Sequence, residues 1–241
     1  RPSLSFWQDA WRRLRKNRAA FIGLCIIALY ALLAIFAPML SKYGFSDMDT
    51  TAMHAGPSAA HWLGCDATGR DQWVRIWMGA RTSLAIGLFS AFINMCVGAV
   101  IGGLCGYYGG KLDMIMMRIV DIISTIPLTL YVILIMVVLG TGLKSIIVAL
   151  GTVYWVDMAR VVRGQVLSLR EQEFVLAAKT IGSSTKTILL QHLIPNAMGS
   201  ILVTVTMLIP SAIFMEAFLG FLGIGLQPPL ASLGTMCNDA T

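Results

Sequence analysis

Long stretches without a charged side chain constrain this sequence more than any other feature. A helix needs about 20 apolar residues to cross a bilayer. Four uncharged stretches reach that length: residues 19–40, 82–110, 122–143 and 187–215. A fifth candidate, residues 145–162, is interrupted by Asp157 and Arg160, which can pair with each other at i,i+3. The sequence therefore predicts an all-α, polytopic transmembrane helical bundle with five spans.

Composition argues against a soluble fold. Only 12% of the 241 residues are charged, whereas a soluble domain carries about 25%. The net charge of +6 is compatible with nucleic-acid binding, but six basic residues are concentrated in residues 1–18, directly before the first apolar stretch. We predict that residues 1–18 form a cytoplasmic arm facing anionic lipid, and we expect no nucleic-acid partner. A cleavable signal peptide has an apolar core of about 7–15 residues, shorter than residues 19–40.

The basic residues also predict the orientation. Thirteen of the 18 Lys and Arg residues lie in residues 1–18, 111–118 and 160–186, whereas five lie in residues 42–81 and at Lys144. Cytoplasmic loops are the richer in Lys and Arg, so we expect a cytoplasmic N-terminus in the cell membrane. Residues 41–81 then form an external loop.

The last part of the sequence is apolar but irregular. Residues 217–238 are uncharged, yet glycines and the pair Pro228 and Pro229 interrupt them. Such backbone is tolerated at membrane depth only when it is buried in protein or lines a cavity. The sequence ends at Thr241, where we expect a further span, and we interpret the last span as missing from a fragment.

Few residues suggest catalysis or metal binding. His54, His61 and His192 show no metal-ligand spacing, no phosphate-loop pattern occurs, and we expect no enzyme activity and no metal in this chain. Ser183 and Ser184 near His192 leave a serine hydrolase as an alternative. A second alternative is an ion-coupled carrier, because some charged residues lie near membrane depth, although we expect them at the membrane interface. These residues are Asp113, Arg118, Asp121, Asp157 and Glu216. Cys65 and Cys237 are predicted on the outer face, as a disulfide or as two free thiols.

Small residues recur along the second predicted span. Gly98, Gly102 and Gly106 follow one another at intervals of four, so they share a helix face that a neighbouring helix can approach closely. We predict helix packing at this face, either as ordinary packing or as a tight seam between moving bundles.

Residues 164–192, which we call the coupling hairpin, are amphipathic and lie on the predicted cytoplasmic side. An apolar stripe recurs there at helical spacing, formed by Phe174, Ala177, Ala178 and Ile181. Gly182 is typical of a helix C-terminus, and Ser183 or Ser184 can cap a second helix that runs to Pro195. The pattern predicts a helix–turn–helix.

The hairpin residues resemble a known motif. Residues 173–182 (EFVLAAKTIG), nine intervening residues and the sequence HLIPN at 192–196 resemble the coupling signature of binding-protein-dependent ABC importer permeases. The family pattern is E-A-A, three residues, G, nine residues, I-x-L-P. Leu176 stands where the family has an acid, and His192 and Ile194 replace its isoleucine and leucine. Histidine followed by proline and asparagine resembles the peptide-transporter branch.

Three further stretches are similar to the C-type permease subunit of the dipeptide and oligopeptide branch: residues 6–17, residues 61–71 with 79–84, and residues 221–229. The resemblance implies the type I importer fold with six spans. Residues 19–241 would form the permease domain. It also implies that the chain forms a pore for small peptides, with nickel as the alternative cargo within the family.

The resemblance further implies the partners and the contact residues. The partners would be a second homologous permease, two ATP-binding subunits that carry ATP and Mg, an extracytoplasmic peptide-binding protein and the lipid bilayer. The residues expected to contact the ATPase are Glu173, Phe174, Ala177, Ala178, Gly182, His192 and Pro195. In the external loop, we expect Trp62, Arg70, Asp71 and Trp73 either to dock the binding protein or to form a lid on the permease itself.

Overall fold

A computed structural model describes residues 6–227 and 229–239, and helix dominates them. No strand is present among these residues, apart from an isolated bridge between Cys65 and Asp71. The eleven α-helices of this part of the chain are α1 (Phe6–Lys16), α2 (Arg18–Phe36), α3 (Gln72–Tyr108), α4 (Gly110–Thr125), α5 (Leu128–Leu139), α6 (Leu143–Val153), α7 (Trp155–Leu169), α8 (Glu173–Thr180), α9 (Thr185–Thr187), α10 (Ile194–Phe221) and α11 (Leu233–Asp239).

The chain divides into two compact units. The first contains the described residues up to Thr82 together with residues 229–231. Asn17 caps the start of α2 by accepting from the backbone N–H of Ala20. At the other end of α2, the guanidinium of Arg81 donates to the carbonyl oxygens of Ala34 and Ile35. The beginning of α3 is thereby fastened to the end of the first span.

The second unit contains the described residues within 83–227 and 232–239, so it includes most of α3 and all of α4 to α11. Helices α3 and α7 run parallel, because Gly98 meets Met158 and Gly106 meets Val166. Helices α3 and α10 run antiparallel, because Ser83 bonds to Glu216 whereas Gly103 lies near Ile194. The core between the helices of this unit is apolar, and its most deeply buried large side chains include Ile86, Leu150, Met158, Val162, Leu193, Ile201 and Leu219.

Four helical stretches are long and apolar enough to cross a membrane: Arg18–Leu40, Gln72–Tyr108, Leu143–Leu169 and Thr185–Phe221. The predicted span at 122–143 is not one helix. It is divided between α4 and α5, which together would be a fifth span bent by 91°. Pro127 explains the break, because it has no backbone N–H and forces extended backbone on Ile126, whose ψ is 126°.

The second span begins ten residues earlier than residue 82, because α3 starts at Gln72. The predicted external loop at 41–81 is therefore shorter, and its last turns are helical. Uncharged runs set the predicted boundary, but Arg75 and Arg81 are both accommodated inside the helix. Arg75 pairs with Asp66, and Arg81 caps α2. After α10, the seven-residue helix α11 follows, which is too short to span.

Candidate functional site

The coupling hairpin is built from the end of α7, the short helix α8 and a sharp turn. Helix α7 ends at Leu169, and α8 begins at Glu173, whose carboxylate lies in the first turn. Lys179 lies in the last turn of α8. An acid at the start and a base at the end both interact favourably with the helix dipole.

Gly182 ends α8 in the left-handed conformation, with φ of +79°. Its N–H donates to the carbonyl of Lys179 at 3.0 Å, and the N–H of Ser183 donates to Ala178 at 3.0 Å. A side chain here would meet nothing within 4 Å, so only the backbone conformation favours glycine. The predicted role of Gly182 as a helix end is present in the structure.

Beyond the turn, the chain enters α10 through an unusual helical segment. Ser184 caps α9 by accepting from the N–H of Thr187, and residues Ile188–Leu193 then form a π-helix that continues into α10. Pro195 lies in the first turn of α10 and has no N–H to donate. The side-chain amide of Asn196 donates to the carbonyl of His192 at 2.6 Å. Wide turns of this kind are frequent at functional sites.

The structure brings the two ends of the recognised motif together. The rings of Phe174 and His192 lie with their centroids 6.4 Å apart, although eighteen positions separate them in sequence. The hydroxyl of Ser184 bonds to Thr187 and caps the helix. Helix capping therefore accounts for Ser184 without a catalytic role.

Helix α8 has two apolar faces rather than the one predicted stripe. Phe174, Ala177 and Ile181 are exposed, and Ile181 retains 82% of its accessible surface. Ala178, which we assigned to the same stripe, is buried together with Val175. The sequence analysis did not identify Val175 as a packing residue, although its i,i+3 spacing to Ala178 indicates that the two side chains share a face. We call Phe174, Ala177 and Ile181 the docking face.

Two cationic contacts fasten the hairpin to the end of α3. Arg170 donates to the carbonyl oxygen of Gly106 at 3.1 Å, and the ammonium of Lys179 lies 5.2 Å from the centre of the Tyr107 ring. Arg163 on α7 forms a two-pronged ion pair with Asp113 on α4. The hairpin and the adjoining ends of the neighbouring helices are therefore linked by directional contacts as well as by packing.

The glycines of the second span lie against α7. A Cβ atom built on Gly98 would lie 2.5 Å from Cβ of Met158, and one on Gly106 would lie 2.8 Å from Cβ of Val166. Gly102 faces the backbone of α7 between these two positions. All three glycines thus allow a helix–helix distance that no larger residue permits.

The external loop of the first unit is organised around Asp66, a residue that the sequence reasoning missed. Its carboxylate accepts from Thr68, from the backbone and guanidinium of Arg70, and from Arg75. Burial alone would raise the pKa of Asp66, but these hydrogen bonds outweigh burial and lower the pKa to about 2. The short spacing of Asp66 from Arg70, at i,i+4, was the available signal.

The loop residues proposed for docking divide into two groups. Arg70 and Asp71 are buried; Arg70 pairs with Asp66, and Asp71 accepts from His61 at 2.8 Å. Trp73 donates to the carbonyl of Ala37 at 3.0 Å and packs edge-on against Trp62. Trp62 remains about half exposed. This arrangement favours a loop that packs on its own span, with Trp62 as its exposed aromatic residue.

The described residues contain no group of three His, Cys, Asp or Glu side chains that could hold a metal ion. All five cysteines, including Cys65 and Cys237, are free thiols. Glu216, expected at the membrane interface, is fully buried and accepts from the hydroxyl of Ser83 at 2.8 Å.

Two known families match separate parts of the chain. Residues 98–241 match the family described as binding-protein-dependent transport system inner membrane component. Residues 5–57 match the N-terminal TM domain of oligopeptide transport permease C.

Individual relatives give the same result. The chain is 51% identical to the oligopeptide transport system permease protein OppC of Bacillus subtilis, covering 99% of this chain and 78% of that protein. It is 49% identical to the dipeptide transport system permease protein DppC of the same organism, covering 99% and 75%. The OppC protein of Escherichia coli K12 is 44% identical, covering 98% and 78%.

A solved structure shares the fold. One crystal form of the inward-facing MetNI methionine ABC transporter contains a chain with a TM-score of 0.56 and 22% identity, covering 68% of this chain and 85% of that one. A second form gives 0.53 and 24%, covering 62% and 76%. The helical architecture is that of a type I ABC importer permease.

Proposed function

The chain belongs to the family of binding-protein-dependent transport inner membrane components, and we propose that it is the C-type permease subunit of an ATP-driven importer of di- and oligopeptides. The observation that carries this proposal is the match of the whole chain to relatives named for oligopeptide and dipeptide transport, at up to 51% identity. Those relatives support peptides over nickel as cargo. They also support an importer over an ion-coupled carrier or a hydrolase.

The docking face supports the coupling role. Large apolar side chains exposed together outside the membrane mark interaction surfaces, and Ile181 is the most exposed of them. Phe174, Ala177 and Ile181 would enter a groove on an ATPase subunit. Val175 and Ala178, on a neighbouring buried face of α8, pack the helix against its own chain. A displacement of the docking face is therefore passed on to α7 and α10.

The partners follow from this assignment. A second permease would complete the pore, two ATPase subunits would bind ATP and Mg, and an extracytoplasmic binding protein would deliver the peptide. This chain would hydrolyse nothing itself. The excess of Lys and Arg supports a cytoplasmic location for residues 1–18 and for the coupling hairpin.

The external loop is the candidate contact for the binding protein. Because Arg70 and Asp71 are buried in the loop, a substitution there would unfold the loop before it revealed any contact. Trp62 is the better test residue. We expect Trp62→Ala to weaken binding-protein affinity if the loop is a dock, and to leave the affinity unchanged if the loop is a lid.

The assignment is tested with the assembled transporter. The chain is co-expressed with a homologous permease, candidate ATPase subunits and a candidate peptide-binding protein, purified through a tag on this chain, and reconstituted into proteoliposomes. We expect two ATPase subunits and a second permease to co-purify, and labelled di- or tripeptide uptake to require ATP and the binding protein. Uptake that persists without any ATPase would establish a carrier. Labelling of Ser183 or Ser184 by a serine-directed probe would establish a hydrolase.

A further inference from the structure

Charged side chains join α4 to α7 and remain exposed in this chain. The guanidinium of Arg160 on α7 donates to the carboxylate of Asp121 at 3.1 Å and to the hydroxyl of Ser124 at 2.8 Å, both on α4. It also lies 3.8 Å from the carboxylate of Asp157, one turn earlier on α7. We call Asp121, Ser124, Asp157 and Arg160 the charged cluster. None of these four residues is buried, and 65% of the Asp157 side chain is accessible.

The contact between α3 and α7 gives the depth of the cluster. The uncharged part of α3, residues 82–108, is about 40 Å long, which matches the full thickness of a bilayer with its headgroup regions. Met158 packs on Gly98, which is ten residues, or about 15 Å, from the end of α3 at Tyr108. The neighbouring Asp157 therefore lies about 10 Å inside the hydrocarbon layer. This is deeper than the membrane interface at which the sequence analysis expected it.

Lipid is unsuited to cover this surface. An ionised side chain at membrane depth faces the interior of a bundle or a water-filled cavity, because hydrocarbon offers its charge no partner. The break between α4 and α5 leads to the same conclusion. Residues 124–127 are all exposed at this 91° bend. Non-helical backbone is tolerated at membrane depth only when it is buried in protein or lines water.

The charged cluster favours a cation as its ligand. Two carboxylates share one guanidinium, so negative charge is in excess, and Arg118 on α4 forms no ion pair with either carboxylate among the described residues. Helix α4 ends at Thr125, directly after Ser124, so the negative end of its dipole lies beside the cluster.

Asp157 is the carboxylate that is available to a ligand. Its distance of 3.8 Å from Arg160 is too long for a hydrogen bond, whereas Asp121 accepts one from the same guanidinium. The carboxylate of Asp157 accepts no side-chain hydrogen bond in the described part of the chain. A cation that enters from water can therefore bind Asp157 without displacing an existing hydrogen bond.

We infer that the charged cluster lines the water-filled path of the peptide and that the carboxylate of Asp157 binds the peptide's N-terminal ammonium group. This rests on the proposed function, because it assigns a substrate contact within the pore of the same importer. An unmodified peptide carries this ammonium whatever its side chains are. Such a contact therefore suits a transporter of peptides of many sequences. The second permease would form the opposite wall of the path and leave the cluster accessible to water.

The first test is thiol labelling in the complete reconstituted transporter. All five native cysteines are replaced, and ATP-dependent peptide uptake by this background tests the proposed function separately. Asp157→Cys is then exposed to methanethiosulfonate ethylsulfonate, a charged reagent that reacts with thiols in water. Ile27→Cys is the matched control, because Ile27 on the apolar helix α2 is likewise 65% exposed in this chain.

We expect Asp157→Cys to react and Ile27→Cys to stay unreactive. The reaction is followed without nucleotide, during ATP turnover and in the vanadate-trapped state. If Asp157→Cys is unreactive in every state of a complex that still imports peptide, the second permease covers the cluster and the inference is overturned.

The second test uses Asp157→Asn and Asp157→Glu in the transporter with its native cysteines. Asparagine keeps the size of the side chain and removes its charge. Uptake of a free dipeptide should fall about tenfold, as loss of one hydrogen bond between charged groups implies, and Asp157→Glu should restore most of it. The Tm should stay unchanged, because the carboxylate is mostly exposed. Full uptake by Asp157→Asn, or a loss of uptake that follows a lower Tm, would overturn the ammonium contact.

Discussion

Replacement of Ile181 by alanine separates contact with the ATPase from folding of the permease. Ile181 retains 82% of its accessible surface in this chain, so little of its apolar area is lost from water on folding. Full burial of an isoleucine is worth about 1.5–3 kcal/mol. If an ATPase covers the exposed part, Ile181→Ala should weaken the association by roughly 1.2–2.5 kcal/mol, about 8-fold to 70-fold in Kd.

The assay measures binding of purified ATPase subunits to the permease pair, together with peptide uptake. Val175→Ala is the matched control, because Val175 is fully buried on the other side of the same helix. Removing buried methyl groups lowers stability by leaving a cavity, so Val175→Ala should lower the Tm of the permease pair. Ile181→Ala should leave that Tm unchanged. Wild-type ATPase affinity and uptake for Ile181→Ala would refute the docking face.

Three further predictions concern other parts of the chain. Gly98→Ala should lower the Tm of the complex, because its Cβ meets α7, whereas Gly103→Ala, whose nearest atom would lie 3.6 Å away, should not; equal values would contradict the tight α3–α7 contact. Because folding lowers the pKa of Asp66 from 3.8 to about 2, the ionised carboxylate stabilises the external loop fully above pH 3.8, and this stabilisation should be lost as the pH falls toward 2. At pH 7, Asp66→Asn should make the loop sensitive to protease. A loop that stays resistant would show that this carboxylate is dispensable. Gly182→Ala should destabilise the hairpin by about 1 kcal/mol through its left-handed backbone, whereas Gly164→Ala in α7 should not, as measured by hydrogen exchange of α8.

The sequence was sufficient for the class of fold because charge is excluded so strongly from the bilayer. Uncharged runs located three of the four long apolar helices among the described residues, and the fourth, Leu143–Leu169, came from a run interrupted by charge. Such runs could not locate breaks or ends that do not depend on charge. Pro127 divides a run that looked continuous, and its effect depends on backbone geometry. Arg75 and Arg81 lie within α3 because partners that are distant in sequence satisfy them. Such partners are not visible in a one-dimensional pattern.

At the candidate site, too, local features were predictable from the sequence, whereas contacts between distant residues were not. Gly182 was predictable, since a left-handed helix end leaves a local signal in the sequence. The division of α8 into a docking face and a buried face was not, because Ala177 and Ala178 are chemically identical and only packing distinguishes them. Glu216 was expected at an interface by its position near the end of an uncharged run. Its burial depends on Ser83, more than 130 residues away, which no local pattern reveals.

Tight and deformable helix contacts are distributed unevenly in this chain. Helices α3 and α7 meet backbone to backbone at the glycines, and an ion pair and a carbonyl contact fasten the start of α4 and the end of α3 to the C-terminal half of α7. Helix α10 has the π-helix, Pro195 and Pro210, each of which removes or lengthens a backbone hydrogen bond. Packed interfaces change between discrete arrangements rather than bending continuously. Under the proposed coupling role, a displacement of the coupling hairpin is then taken up by α10 rather than between α3 and α7.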